Sequence, residues 1–305
     1  MANHNREGII YAVAAYSIWG ILPIFWKHIV DVAADEVLAN RIFWSFWFMI
    51  VLLIFSKKFP LLIKSLKQFQ EKPKKLVALA AASILVSGNW FLFIWAVNND
   101  KVVESSLGYY INPLVSIILG IIFLKESLSK IQIISFFLAL MGVLILTFSY
   151  GKFPWVSFGL AISFGVYGLV KKMIKVDSSI GLALETLVIM PIAFIYLCIQ
   201  MINGSSALFS GSFLTDILLI ASGAITAIPL LFFAKGVQKI PLYLMGFIQY
   251  IAPTMMLILG VFLYGEPFGA TRLIAFAFIW GALALVTLSS LNWSYVKGRN
   301  RKKVA

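Results

Sequence analysis

Two charged side chains stand inside stretches that are otherwise apolar. Arg41 lies in "DEVLANRIFW", five residues after Glu36, and Glu185 lies in "GLALETLVIMP". A charge placed within a hydrocarbon-facing helix costs about 2.5–3.5 kcal/mol on an insertion scale, so such residues mark sites of recognition or ion movement. The chemistry they offer is binding of a charged group and proton coupling. If instead they sit at interface depth, they snorkel or pair structurally.

Aromatic and amide side chains form a second group. Trp19, Asn89, Trp90, Trp95 and Asn98 recur on two stretches, Tyr109, Tyr110 and Asn112 open another, and Tyr167, Gln249 and Tyr250 answer them later in the chain. Ring faces with a few amides and hydroxyls suit an amphipathic or aromatic solute. For any single Trp or Tyr the plainer reading is an interfacial belt or helix packing. Asn89, Tyr110 and Gln249 are the strongest of the set, because a buried amide in lipid must find a partner. No G-x-x-x-x-G-K-[ST] phosphate loop, nucleophile–base pair or metal-ligand spacing is present, and His4 and His28 stand apart. The expectation is no enzyme, no cofactor and no metal.

The elements that must position these residues follow from composition. Of 305 residues, 61% are hydrophobic and 12% charged, far from the balance of a soluble domain. Ten stretches are long and apolar enough to cross a bilayer, at about 8–28, 36–56, 75–97, 103–124, 130–149, 155–172, 180–201, 213–234, 241–263 and 270–291. We number them spans 1 to 10. No strand alternation persists, which argues against a β-barrel. The lone Cys198 lies in an apolar stretch and reads as packing. The net charge of +13 reads as a topology signal rather than as a nucleic-acid patch. With both termini cytoplasmic, 20 of the 25 Lys and Arg fall inside, and only Lys27, Arg41, Lys101, Lys152 and Arg272 fall outside. Lys171 and Lys172, closing span 6, then mark the cytoplasmic boundary.

One block occurs twice. "YINPLVSIILGIIFLKE" (110–126) matches "YIAPTMMLILGVFLYGE" (250–266) at seven of 17 positions, among them Pro113/Pro253, Gly120/Gly260 and Glu126/Glu266. "YSIWG" (16–20) is echoed by "FGVYG" (164–168). Five spans per copy is odd, so the copies are inserted in opposite directions, the signature of transporters that work by alternating access. Residues 1–150 are the first five-span repeat, 151–291 the second, inverted one, and 292–305 a basic cytoplasmic tail. Pro113 and Pro253 are matched bends or hinges, Pro229 interrupts span 8, and Gly120 and Gly260 permit close helix contact. Glu126 and Glu266 cap a turn or pair across the halves.

The duplicated block, "GNWFLFIWAVNN" (88–99), "SLGYYINPL" (106–114), "AAYSIWGILPIFWK" (14–27), "DEVLANRIFWSF" (35–46), "FIQYIAPTMM" (247–256) and "FAFIWGALAL" (276–285) resemble the RarD group of EamA-type permeases, in the drug/metabolite transporter superfamily. The resemblance covers about residues 8–290. It implies a bundle with a central cavity between the halves, transport of a small metabolite or drug, and a chloramphenicol-sensitivity label inherited from the group. The related small multidrug exporters use a glutamate in their first helix; here no acid lies between Ile9 and Trp26.

The fold expected is therefore an all-α integral membrane protein of ten transmembrane helices in two inverted five-helix repeats. The function expected is a secondary active permease in the cytoplasmic membrane, working on a small solute with a proton or sodium as coupling ion. A flippase for a lipid-linked substrate is the alternative, and a membrane enzyme or assembly factor a distant third. Candidate substrate contacts are Trp19, Arg41, Asn89, Trp90, Tyr110, Asn112, Tyr167, Glu185, Gln249 and Tyr250. The partners are the solute and the bilayer, without nucleic acid; oligomeric state is open.

Overall fold

The computed structural model describes residues 2–71, 73–174, 176–266 and 268–301; the side chains of 2–4, 69–74 and 290–301 are not part of that description. The basic residues of the tail at 292–305 therefore lie outside it, although the last helix runs Ala270–Arg301. Among the described residues the chain is helical and carries no strand.

Ten helices are long and apolar enough to cross a membrane: Asn5–Ile29, Ala34–Phe55, Lys75–Asn98, Val102–Leu124, Lys130–Tyr150, Trp155–Met173, Ser178–Ile202, Phe213–Lys239, Leu242–Leu263 and Ala270–Ser289. These are the ten predicted spans. In lipid every backbone N–H and C=O must be satisfied within the protein, and long helices do this locally. The sequence also supplies the ends. Ser129 and Gln132 form a reciprocal capping box at the start of span 5, and Gly151 ends it at φ 75°. Asp177 caps span 7, accepting from the backbone N–H of Ser179 at 3.0 Å and of Ile180 at 3.3 Å. An eleventh helix, Phe59–Glu71, falls in what the sequence reads as a lysine-rich connection. It buries Leu62 and leaves Phe59, Leu61 and Ile63 exposed, the pattern of a helix lying in the membrane interface.

Packing reveals the duplication directly. Span 3 packs on span 6 as span 8 packs on span 1, span 4 on span 6 as span 9 on span 1, and span 2 on span 8 as span 7 on span 3. Three further pairs, 2–7, 4–9 and 5–10, are their own mates about the pseudo-two-fold axis. The principal contacts thus cross from one half of the sequence to the other. Two interleaved groups result, spans 3, 4 and 6 and spans 8, 9 and 1, bridged by spans 2 and 7. Ten crossings bring both chain ends to one face, here the terminal face; the opposite one is the far face.

Some crossings are very close. A Cβ on Gly223 of span 8 would lie 2.3 Å from the Trp44 carbonyl carbon and 2.6 Å from the Ser45 N of span 2, while a Cβ on Gly88 of span 3 would meet nothing within 4 Å. Ser45 Oγ donates to the Gly223 carbonyl at 2.9 Å across that contact.

Gly223→Ala should push two backbones apart and cost about 1–3 kcal/mol. Gly88→Ala should be neutral or gain up to about 1 kcal/mol. Melting both variants in one detergent checks the contrast. Asp177 gives a pH prediction. Burial opposes its ionisation, but the hydrogen bonds from Lys58, Ser179 and Ile180 and the Lys58 charge outweigh that, holding its carboxyl below the ordinary 3.8. Its contribution is thus complete above about pH 4 and lost as pH falls through the depressed value. Lys58 and Asp177 are more than a third exposed, so the ion pair itself adds little. The melting temperature of the wild type should fall more between pH 5 and pH 2.5 than that of Asp177→Ala.

Candidate functional site

A narrow crevice lies between four spans, bounded by Ile42 of span 2, Val86, Ser87 and Trp90 of span 3, Leu182, Glu185, Thr186 and Ile189 of span 7, and Leu230 of span 8. Its volume is about 10 Å³, room for about one water. The walls are mainly aliphatic, with Ser87, Thr186 and Glu185 as the polar groups.

Toward the far face stands Arg41, the eighth residue of span 2. Its Nε donates to Thr226 Oγ1 of span 8 at 3.0 Å. Its guanidinium lies 4.6 Å from the Trp26 ring centroid and 5.2 Å from that of Trp90. Cation–π contact of this kind favours a partly desolvated cation, yet among the described residues no carboxylate pairs with Arg41. A guanidinium has five N–H donors in a fixed fork suited to carboxylate or phosphate.

Toward the terminal face stands Glu185, the eighth residue of span 7. The Leu38-Ala39 and Leu182-Ala183 pairs place Arg41 and Glu185 at equivalent depths in the two repeats. Glu185 Oε1 meets Lys171 Nζ at 2.7 Å, with side-chain exposures of 2% and 4%, and Oε2 accepts from Tyr167 OH at 3.1 Å. Lys171 closes span 6, as the sequence reading has it, but its side chain is buried. Helix side chains lean toward the helix N-terminus, so a lysine at the C-terminal end of span 6 points back into the bilayer. Gly181 makes room for it, since a Cβ there would lie 3.3 Å from Lys171 Nζ. Lys172 also turns inward, donating to the Val237 carbonyl at 3.0 Å and the Ile240 carbonyl at 2.5 Å, where span 8 ends.

Beside Glu185 the repeat-related pairs Tyr16/Phe164 and Trp19/Tyr167 interlock around Phe233 of span 8. Trp19 meets Phe164 at 5.7 Å, and Tyr167 stacks on Phe233 at 5.8 Å with an interplanar angle of 15°. The five rings pack spans 1, 6 and 8 together.

Of the predicted contacts, Trp90 and Glu185 line the crevice, Arg41 and Tyr167 touch those two, and Trp19 belongs to the aromatic cluster. The others lie outside the crevice, and all but Asn112 hold helices together. Asn89 donates to the Leu160 carbonyl and Ser163 Oγ, both at 2.8 Å, joining spans 3 and 6. Asn112 accepts from Ser116 Oγ on its own helix at 3.3 Å. Gln249 accepts from Tyr16 OH at 3.4 Å, and Tyr250 OH donates to the Tyr110 carbonyl at 3.3 Å. Tyr110 itself packs edge-on against Phe276 at 5.5 Å. The sequence reading missed Trp26, Thr226 and the aliphatic wall. Nothing local marks them, since they gain meaning only from what stands opposite.

Pro113 lies within an unbroken helix, Val102–Leu124. Its mate Pro253 follows a break: span 9 is helical over Leu242–Gln249 and Ile251–Ile258 and closes with a π-helical turn, Leu259–Leu263. Gly120 and Gly260 have a shared role beyond helix contact. Glu126 and Glu266 fold back over them, with the N–H of each glutamate donating to its glycine carbonyl at 3.1 and 2.9 Å.

Comparison with known proteins places these features. Residues 6–148 match the model of the EamA-like transporter family. An uncharacterized transporter of Bacillus subtilis (strain 168), YojE, is 45% identical over 289 residues, covering 95% of this chain and 96% of its own. Protein RarD of Escherichia coli (strain K12) is 42% identical over 301 residues, 99% of each chain. A chloramphenicol-sensitive protein RarD of Pseudomonas aeruginosa is 27% identical over 281 residues, covering 92% and 93%. One solved crystal structure superposes with a TM-score of 0.70 at 17% identity, covering 94% of this chain and 98% of that one, which shows the fold alone. A ten-span multi-pass chain with these relatives is a membrane transporter, and it belongs to the EamA-like transporter family, in the RarD group.

Proposed function

We propose that this transporter is a secondary active permease of the cytoplasmic membrane, moving a small anionic metabolite or drug by alternating access. The observation that carries the reading is Arg41, a partly buried guanidinium held by Trp26, Trp90 and Thr226 with no carboxylate of the described chain opposite it. The missing counter-charge belongs to the cargo. Arg41 takes a carboxylate or phosphate, and Trp90 in the crevice wall takes a flat or apolar body.

Glu185 is the coupling residue. A proton or sodium ion at its carboxylate competes with Lys171 and Tyr167, loosening the tie between spans 6 and 7. The termini face the cytoplasm, because that orientation puts the lysine-rich connections inside. The sequence halves are the two inverted repeats, 1–150 and 151–291, and Pro113 and Pro253 are their hinges. A flippase for lipid-linked cargo would need a cleft open sideways to lipid; a crevice walled by spans 2, 3, 7 and 8 supports the small-solute reading instead.

Two experiments test this. In a thermal-shift screen of carboxylates, phosphates, aromatic amino acids, nucleosides and chloramphenicol, a ligand at 100 times its Kd should add about 2.7 kcal/mol to the folded state. The hit should be an anion. Its shift should vanish in Arg41→Gln and persist in Asn89→Ala, whose amide joins helices. Equal shifts in wild type and Arg41→Gln would remove Arg41 from the site. The second test separates coupling from structure. Glu185→Gln leaves Lys171 buried without its counter-charge and should cost about 3–5 kcal/mol. Adding Lys171→Met should restore the melting temperature but not ion-driven flux. Recovery of flux in the double variant would make the pair structural only.

A further inference from the structure

The duplicated block makes one turn twice and uses it in only one place. At Lys125 and Gly265, which are mates in the repeat, the chain takes the left-handed conformation, with φ 54° and 67°. Each following glutamate then folds back over the glycine six residues before it. At the terminal face this delivers the Glu126 carboxylate to the start of span 9. Oε1 accepts from the Leu242 N–H at 2.8 Å and Oε2 from the Tyr243 N–H at 2.9 Å. A carboxylate there satisfies orphan donors and complements the helix dipole.

Among the described residues no corresponding contact is made at the far face. The mates of Leu242 and Tyr243 are Val102 and Val103, the first residues of span 4. Leu242 is 1% exposed, whereas Val102 is 54% exposed. Neither Lys101 nor Pro241 caps its own helix through its side chain, and of these two helices only span 9 has a carboxylate from another span at its start among the described residues. Glu266, the mate of Glu126, is 58% exposed and lies 3.8 Å from Arg272 of its own half. The helices follow the same asymmetry. Spans 4 and 9 touch near the terminal face, where a Cβ on Gly246 would lie 2.7 Å from the Pro113 carbonyl. Beyond the break near Pro253, span 9 leans on span 1.

We propose that Glu126 and Glu266 are the paired gate residues of the transport cycle, each closing one face by capping the first turn of the other repeat's fourth span. The structure has the terminal gate closed through Glu126 and the far gate open. In the opposite state Glu266 leaves Arg272 and accepts from the Val102 and Val103 N–H groups, while Glu126 releases span 9. The inference rests on the alternating-access reading and assigns its gates.

The test uses thiol labelling of the purified full chain in a Cys198→Ala background. A charged maleimide reports on Val103→Cys at the far face and on Tyr243→Cys at the terminal face, in separate preparations. Losing a charge-assisted cap should shift the ratio of terminal-face to far-face labelling by about tenfold or more. Glu126→Ala should raise that ratio, and Glu266→Ala should lower it or leave it at its floor while abolishing flux. Glu126→Ala with Glu266→Ala should return the ratio toward the parent, which a merely misfolded variant would not do. A ratio unmoved by Glu126→Ala, or moved the same way by both single variants, overturns the gate assignment. Labelling needs no solute, so opposite shifts without flux of any solute would sink the permease reading and leave the gates standing.

Discussion

Lipid offers no hydrogen bonds, and the architecture follows from that constraint. A helix end or charge at membrane depth needs a protein partner. In this chain the partner often comes from another span. Glu126 of span 4 caps span 9, Lys172 of span 6 caps span 8, and the Glu104 carboxylate of span 4 accepts from the Val156 N–H of span 6 at 2.8 Å. Lys172 and Glu126 sit on either side of the Ile240–Pro241 junction, a cation on the carbonyl end of one helix and an anion on the amide start of the next. This is the arrangement that the helix dipole favours.

Cross-packing of this kind also means that the packed groups are not the halves of the sequence. Spans 3, 4 and 6 form one group and spans 8, 9 and 1 the other, each drawing helices from both repeats. Parting residues 1–150 from 151–291 would break most of the packing. Tilting the two mixed groups about the 4–9 crossing would spare that packing and bear instead on the aromatic cluster and on the caps made by Lys172 and Glu126. On the proposed alternating-access reading the bend near the crossing falls to the twin prolines, one inside an unbroken helix and one just after a break. On that reading the two states would differ by exchange of these shapes between spans 4 and 9.

The charges fit the same geometry. Arg41 and Glu185 occupy equivalent depths in oppositely inserted repeats, so one lies toward each face, with the crevice between them. They do not pair. Glu185 is neutralised by Lys171, and Arg41 is held by rings and a hydroxyl. The site thus has one charge satisfied internally and one still offering donors, an asymmetry that a cargo can use.

The sequence by itself determined the spans, their number and the inversion. Hydrophobic length, cap residues and a repeat over an odd number of helices are local properties written in order along the chain. It also named Arg41, Trp90 and Glu185, because a charge or an amphipathic ring in an apolar stretch is conspicuous alone. It could not separate these from Asn89, Gln249 and Tyr250, which look equally polar but spend their hydrogen bonds joining helices, or from Asn112, whose partner lies on its own helix. It placed Lys171 at the membrane boundary, where its position in span 6 fits. Only tertiary structure decided the rest, since the role of a buried polar group depends on what faces it. Glu126 and Glu266 show this most plainly: the same residue in the same turn, one capping a helix of the other repeat and one exposed beside Arg272.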